Sequence, residues 1–358
     1  MFKKNSLRNI ILYGLLTSVL FANGCGSAEY VNGSVSNTNT NSATVSTDNG
    51  DSNPTSAGTD NASASGSDSS QGGSDTPASE PAADTGPGSR DNAPVCLIPE
   101  HPGAETYGNE LATIDTSNAS DGYVCVSYNG SCSKVKLQIT CPNTITYTYN
   151  LSGGYEVFPL TDESGTYSFG IYENITDTQY STAFKTNIDL TVSNSFGAYL
   201  YPNQYVNFKA DDLAVAKGEE LAYSANSDLD VVTNVYNYII NNVTYDAAFA
   251  STVESGYLPT PDNTLISGTG ICLDYAALMA SMLRSQRIPT HMEVGYAGTA
   301  YHAWISVYLE ETGWVNGIIE FNGTTWELMD PTFASSASEK ELKEFIGDGS
   351  SYETKYIY

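Results

Sequence analysis

The sequence predicts an α+β domain behind an all-β domain, and three observations carry that prediction. Between about Pro94 and Tyr205 apolar and polar residues alternate in short runs. Around Ala222 the period lengthens to that of a helix, and strand-like runs return only near His291. From Gly26 to Ala93, by contrast, there is no Leu, Ile, Phe, Met or Trp. The chain therefore divides into residues 1–25, 26–93, 94–205 and 206–358.

The first segment has the three parts of an export signal. Lys3, Lys4 and Arg8 form a basic start, Ile10 to Ala22 an apolar stretch, and Ala22-Asn23-Gly24-Cys25 a small-residue end. The apolar stretch is short for a bilayer span, so a removed signal peptide is the reading. Its end resembles a bacterial lipobox, although Ala22 stands where leucine is commonest. Cys25 is then the lipidation site, and the chain is exported and anchored to the membrane by acyl chains alone. Two or more such chains are needed for a firm hold.

Residues 26–93 consist of Ser, Asn, Thr, Gly, Asp, Ala and Pro with few exceptions. Such a segment buries too little apolar surface to offset its ordering entropy, and it is expected to be a disordered tether. Its root-mean-square span is on the order of 45 Å. The whole chain of 358 residues carries 41 acidic against 14 basic residues, a net charge of −27. That balance repels nucleic acid and anionic headgroups, so no nucleic-acid partner is expected.

In the 94–205 region Val135, Leu137 and Ile139 alternate with polar neighbours, as do Ile145, Tyr147 and Tyr149. Gly165 to Glu173 repeats the period of two. Short strands with Gly and Asn-Asp punctuation predict an antiparallel sandwich of immunoglobulin-like type. Four cysteines fall here, Cys96, Cys125, Cys132 and Cys141, an even number in an exported protein and hence possible disulfides. Tyr128-Asn129-Gly130-Ser131 reads as a two-residue hairpin turn, which sets Cys132 opposite Ser127 and Cys125 diagonal to it. The pairs expected are therefore Cys96 and Cys141 with the two hairpin cysteines. The tyrosines of this region suit a face for wall polymer or sugar as well as half-buried strand positions.

The last region begins with a helix through Val231, Val235, Tyr238 and Ile239 that stops by Asp246. A loop rich in Pro and Gly is expected from Ser255 to Gly270. A second helix starts at Cys272, with Ala276, Met279, Ala280 and Leu283 on one face. Strands are expected near His291–Gly295, His302–Tyr308 and Trp326–Met329. A cysteine in the first turn of a helix meets unpaired amides and a partial positive charge that favour thiolate. His302 starts a strand, and Asp330 ends a later one, where Pro331 prevents its continuation. Cysteine, histidine and carboxylate in that order suit a thiolate nucleophile with an oriented base. Each also has a plainer role, as core thiol, buried histidine and turn aspartate.

Gly270 to Ala276, Tyr301-His302-Ala303-Trp304 and Asp330-Pro331-Thr332 together resemble the core of the transglutaminase-like superfamily. Tyr245-Asp246 and Ile288-Pro289 fit the same pattern, and the resemblance covers roughly Val231 to Phe333. It implies a papain/transglutaminase-like catalytic domain in which Cys272 is the nucleophile, His302 the general base and acid, and Asp330 its orienter. Arg287 departs from the family, which usually has Gly before Ile-Pro. Tyr257 is the one side chain suggested as an oxyanion donor. The implied activity is attack on an amide of a peptide or protein, wall peptide included, through a thioester. Water as acceptor makes a peptidase or amidase, the reading preferred; an amine makes a cross-linking transglutaminase. A non-catalytic adhesion or wall-binding lipoprotein is the alternative of another class. No cofactor is implied, since neither metal-ligand spacing nor a glycine-rich phosphate loop is present.

Overall fold

The computed structural model of the chain describes residues 86–315, 319–321, 326–328 and 352–358. The signal segment, Cys25, the tether as far as residue 85 and Asp330 lie outside the described residues. Eight strands form two four-stranded antiparallel sheets. The first holds β1 (Thr106–Gly108), β2 (Ala112–Asp115), β3 (Tyr123–Tyr128) and, beyond β3, β6 (Gly154–Pro159). The second has the order β5-β4-β7-β8, from Thr146–Leu151, Val135–Thr140, Gly165–Thr176 and Gln179–Leu190. Alternation assigns the faces. Val135, Leu137 and Ile139 are buried while Lys136 and Gln138 between them are half-buried.

Two expectations fail in this region. Tyr128–Ser131 does not close a hairpin, because β3 is already flanked by β2 and β6 and buried along its whole length. The chain after Tyr128 instead crosses to the second sheet, and Ser127 faces Thr113 and Tyr155 rather than Cys132. With the hairpin goes the disulfide scheme: Cys96, Cys125, Cys132 and Cys141 are free thiols. They sit in separate surroundings. The Cys125 thiol points at the Glu100 carbonyl, Cys132 at those of Lys134 and Asn174, and Cys141 lies beside Thr161.

The last described residues of the expected tether, up to Ala93, are not free chain. Residues 88–95 form an extended strap across the helices of the last region. The N–H of Gly88 donates to Tyr223 O, that of Arg90 to Ala225 O, and that of Val95 to Ser285 O. The Arg90 side chain, only 11% exposed, is ion-paired with Asp228 at 2.5 Å and donates to Gln286 O. Gly88 passes so close to Ala225 that a Cβ there would stand 1.9 Å from its carbonyl oxygen.

The last region begins with a helix the periodicity did not announce, α1 (Leu213–Ala222). The Asp262 carboxylate accepts from its first two amides, Leu213 and Ala214. Next comes α2 (Asp228–Asn242), opened by a capping box between Ser227 and Asp230. A short α3 (Ala247–Ala250) follows. Then α4 (Pro261–Ser267) occupies the segment expected to be loop, with Pro at its first position and Gly268 at φ 62° as its left-handed cap. The cysteine helix α5 spans Cys272–Ser285, and every residue from Asp274 onward is buried. It packs against α1, α2, α4 and two strands, β11 (Thr290–Ala297) and β12 (Ala300–Leu309).

Those strands form the centre of an antiparallel sheet completed by β13 (Gly313–Val315) beside β12 and β16 (Tyr352–Ile357) beside β11. Two smaller pairs complete the fold. Thr244–Tyr245 (β9) runs parallel to Thr269–Gly270 (β10), and Ile319–Phe321 (β14) is antiparallel to Trp326–Leu328 (β15). The described residues form one compact unit with a continuous apolar core.

Candidate active site

Cys272 is the first residue of α5, half-buried at the edge of the core. Its location follows from the local sequence. Gly270 pairs with Tyr245, and the Asp246 N–H donates to Gly270 O, which ties the entry to the helix in place. Ile271 is extended, so the chain turns into the helix at Cys272. Asp274, in the third helical position, accepts the Ile271 N–H at 2.8 Å. A Cβ on Gly270 would lie 2.7 Å from the Asp274 Cβ, so only glycine lets this carboxylate fold back over the turn. The N–H groups of Cys272 and Leu273 have no partner among the described residues.

The second carboxylate oxygen of Asp274 accepts the Tyr257 hydroxyl at 2.7 Å. This corrects the reading of Tyr257 as an oxyanion donor, since its proton is engaged by Asp274. Burial pushes the Asp274 carboxyl above the usual range, and Asp246 nearby adds to that. The donors Ile271 and Tyr257 oppose the shift. Burial, then the bond to Asp274, pushes the Tyr257 phenol far up, so it stays protonated. The pair fixes the loop before α4 against the start of the cysteine helix. Neither partner stood out in the sequence as a pair. The signal available was Asp274 three residues after an N-cap position, a place where acids fold back on the helix start.

His302 is on β12, the strand packed against α5, and is 5% exposed. Its cross-strand partner on β11 is Gly295, where a Cβ would stand 2.0 Å from the Glu353 carbonyl oxygen of β16, so glycine lets that strand close against β11. Trp304, two residues on and on the same face, lies 6.2 Å from the His302 ring, and Tyr352 from β16 lies at 6.5 Å. Trp304 and Tyr352 meet edge to face at 5.0 Å. The structure thus brings the cysteine helix and the histidine strand together. Asp330, the third candidate, lies outside the described residues.

Farther along that face is a buried polar cluster. Glu293 stands opposite Trp304 and accepts from Ser306 and from Thr354. His291 Nδ1 is 3.9 Å from the same carboxylate, near enough for charge but not for a hydrogen bond. Burial raises the Glu293 carboxyl, yet the facing His291, Ser306 and Thr354 outweigh it and the net shift is down. Burial lowers His291, which is also stacked on Trp314 at 3.6 Å.

The remaining thiols differ from Cys272 in setting. Burial pushes Cys125 and Cys141 up to about 12 and raises Cys96, so these stay protonated at neutral pH. No group of three or more His, Cys, Asp or Glu that could hold a metal occurs among the described residues.

Comparison with known proteins finds similarity over part of the chain. Residues 216–317 match the model of the transglutaminase-like superfamily, a span that includes Cys272 and His302 and stops before Asp330. A curated relative is the UPF0252 protein MJ1282 of Methanocaldococcus jannaschii, 27% identical over 210 residues. The match covers 51% of this chain and 58% of that protein, less than two thirds of its length. Among solved structures, a chain named as a candidate cysteine protease from Cytophaga hutchinsonii is similar at TM-score 0.30 and 15% identity, over 64% of this chain and 69% of that one. A candidate protease from Parabacteroides distasonis is similar at TM-score 0.26 and 12% identity, over 58% and 62%.

Proposed function

With residues 216–317 belonging to the transglutaminase-like superfamily, we propose that this chain is a cysteine-nucleophile enzyme that opens amide bonds of a peptide or protein through a thioester and releases it with water. The observation that carries the reading is a half-exposed thiol at the first turn of α5, on a helix packed against the strand of buried His302.

In this reading the Cys272 thiolate attacks the amide carbonyl, and the oxyanion accepts from the open N–H groups of Cys272 and Leu273. The tetrahedral species collapses as the carbon–nitrogen bond breaks, and His302 gives its proton to the leaving amine. Water then attacks the thioester and loses a proton to His302, so acid is released and the thiolate returns. Asp330 orients the imidazole throughout. Acylated Cys25 holds the enzyme on the outer side of the membrane, with wall peptide within reach of the tether.

The test is alkylation by iodoacetamide at neutral pH, read by peptide mass. Cys272 is expected to label well ahead of Cys125 and Cys141, and His302→Ala to slow it by about 100-fold. Equal rates for Cys272 and the buried thiols, indifferent to His302→Ala, overturn the enzyme reading. A Gln-containing peptide offered with a labelled primary amine then separates water from amine as acceptor. New termini or ammonia are expected, and incorporation of the amine overturns hydrolysis.

A further inference from the structure

The outward face of the β5-β4-β7-β8 sheet is built unlike the rest of the surface. Lys134, Lys136 and Lys185 gather there in a chain that carries 41 acidic and 14 basic residues. The other described lysines, Lys209, Lys217 and Lys355, are all ion-paired with neighbouring carboxylates. Lys134, Lys136 and Lys185 are in no ion pair among the described residues. Lys136 and Lys134 instead lie over the Tyr180 ring, at 5.1 and 6.0 Å from its centroid.

At the middle of the same face, Gly170 is a glycine inside a central strand, where a side chain would ordinarily strengthen the sheet. A Cβ at Gly170 would stand 2.4 to 2.7 Å from the Tyr172 hydroxyl and ring atoms. The glycine therefore lets the Tyr172 ring rest over the backbone next to Lys136, its cross-strand partner. Around this platform the outward positions are hydrogen-bonding and unbranched in charge: Gln138, Thr148, Ser168, Thr182 and Asn187, with Asp189 as the acid at one end. By strand geometry the face is about 15 Å across and roughly 14 Å along.

From this arrangement we infer that the face is a docking surface for an anionic polysaccharide. The half-exposed Tyr172 ring matches the apolar side of a sugar ring, hydroxyl and amide groups match its hydroxyls, and lysines without a carboxylate partner match acidic substituents. Local charge decides this contact despite the acidity of the whole chain, because fields beyond about 8 Å are screened at physiological salt. The face has no exposed aliphatic anchor for a hydrophobic protein partner or a lipid tail. Its edge strand leads to Asn150, whose side-chain amide packs against Gly256, next to Tyr257. The inference does not depend on the chemistry at Cys272.

Titration of the exported chain against polygalacturonate, a phosphomannan, neutral dextran and poly-L-glutamate tests it. Binding to either acidic glycan over dextran and polyglutamate is expected, and the tighter of the two tells carboxylate from phosphate. Tyr172→Ala is expected to weaken it about fivefold, Tyr172→Phe to leave it unchanged, and Lys136→Glu with Lys185→Glu to weaken it about tenfold or more. Alkylation of Cys272 is unaffected by any of these changes. Absence of glycan binding, equal binding of the variants, equal binding of dextran, or equal binding of polyglutamate, which marks an acidic peptide partner, each overturns the inference.

Discussion

The two ends of the cysteine helix are built on opposite terms. At its start Cys272 is half-exposed, two amides have no partner among the described residues, and the fixed groups around them are an acid and a phenol. Its end is wholly buried. Arg284 is 1% exposed and donates to the carbonyls of Thr290, Tyr201 and Tyr358. Burial pulls its guanidinium down, to about 9, which leaves it cationic at neutral pH. The far end thus anchors the helix to the sheet and to the segment before α1, and the near end holds the half-exposed Cys272. The anchored end lies some 20 Å from Cys272, since the 14-residue helix rises about 1.5 Å per residue.

Arg284→Met should break that contrast most severely. It leaves carbonyl acceptors in the core without donors, and unfolding free energy is expected to fall by about 3 kcal/mol or more in urea denaturation. Cys272→Ser, at the other end, should change stability by less than about 1 kcal/mol while abolishing covalent capture. If the two variants lose equal stability, the division of labour along the helix is wrong.

How much of this was legible in the sequence divides along the same line. The start of the helix was readable because Gly270, Cys272 and the apolar face of Ala276, Met279, Ala280 and Leu283 are local signals. The histidine strand was readable from its own alternation. Arg284 was not, because a cation in a helix reads as solvent-facing unless its partners are known, and these lie as far as 83 residues away. The strap of residues 88–95 was unreadable for a related reason. It contains little apolar surface and is held by backbone hydrogen bonds and arginines, which leave no periodicity. Tyr352, beside His302, comes from a strand 50 residues farther on, so no local pattern connects them.

A smaller test sharpens the near end. Tyr257 donates to Asp274, and that bond favours the charged form of a carboxyl whose pKa burial has raised. Because the folded value lies above the unfolded one, Asp274 contributes less to stability as pH rises through that window and more as it falls. Tyr257→Phe removes an opposing donor and should raise the value further. The variant is expected to cost about 1–2 kcal/mol at pH 7 and less as the pH falls and Asp274 takes up its proton. A cost independent of pH argues against a charge-assisted bond.

The finest test concerns the turn just beyond the anchored end. Arg287 sits at φ 67°, a left-handed conformation that costs a side-chain-bearing residue about 1 kcal/mol. It is held there by what its side chain does, since the guanidinium donates to Ala93 O at 2.6 Å and to Asp91 O at 2.5 Å on the strap. Arg287→Ala loses those bonds and keeps the strained backbone, so a loss of about 1–2 kcal/mol is expected. Arg287→Gly loses the same bonds but relieves the backbone, and its stability should return to within about 1 kcal/mol of the parent. The dependence on the strap is open to a double-mutant cycle with Arg90→Ala, which loosens the strap from Asp228 and Gln286. In that background the Arg287 bonds have less to hold, so Arg287→Gly should become neutral or stabilising. Strict additivity of the two changes means the strap and the turn are independent, and the arginine is then only tolerated at a left-handed turn.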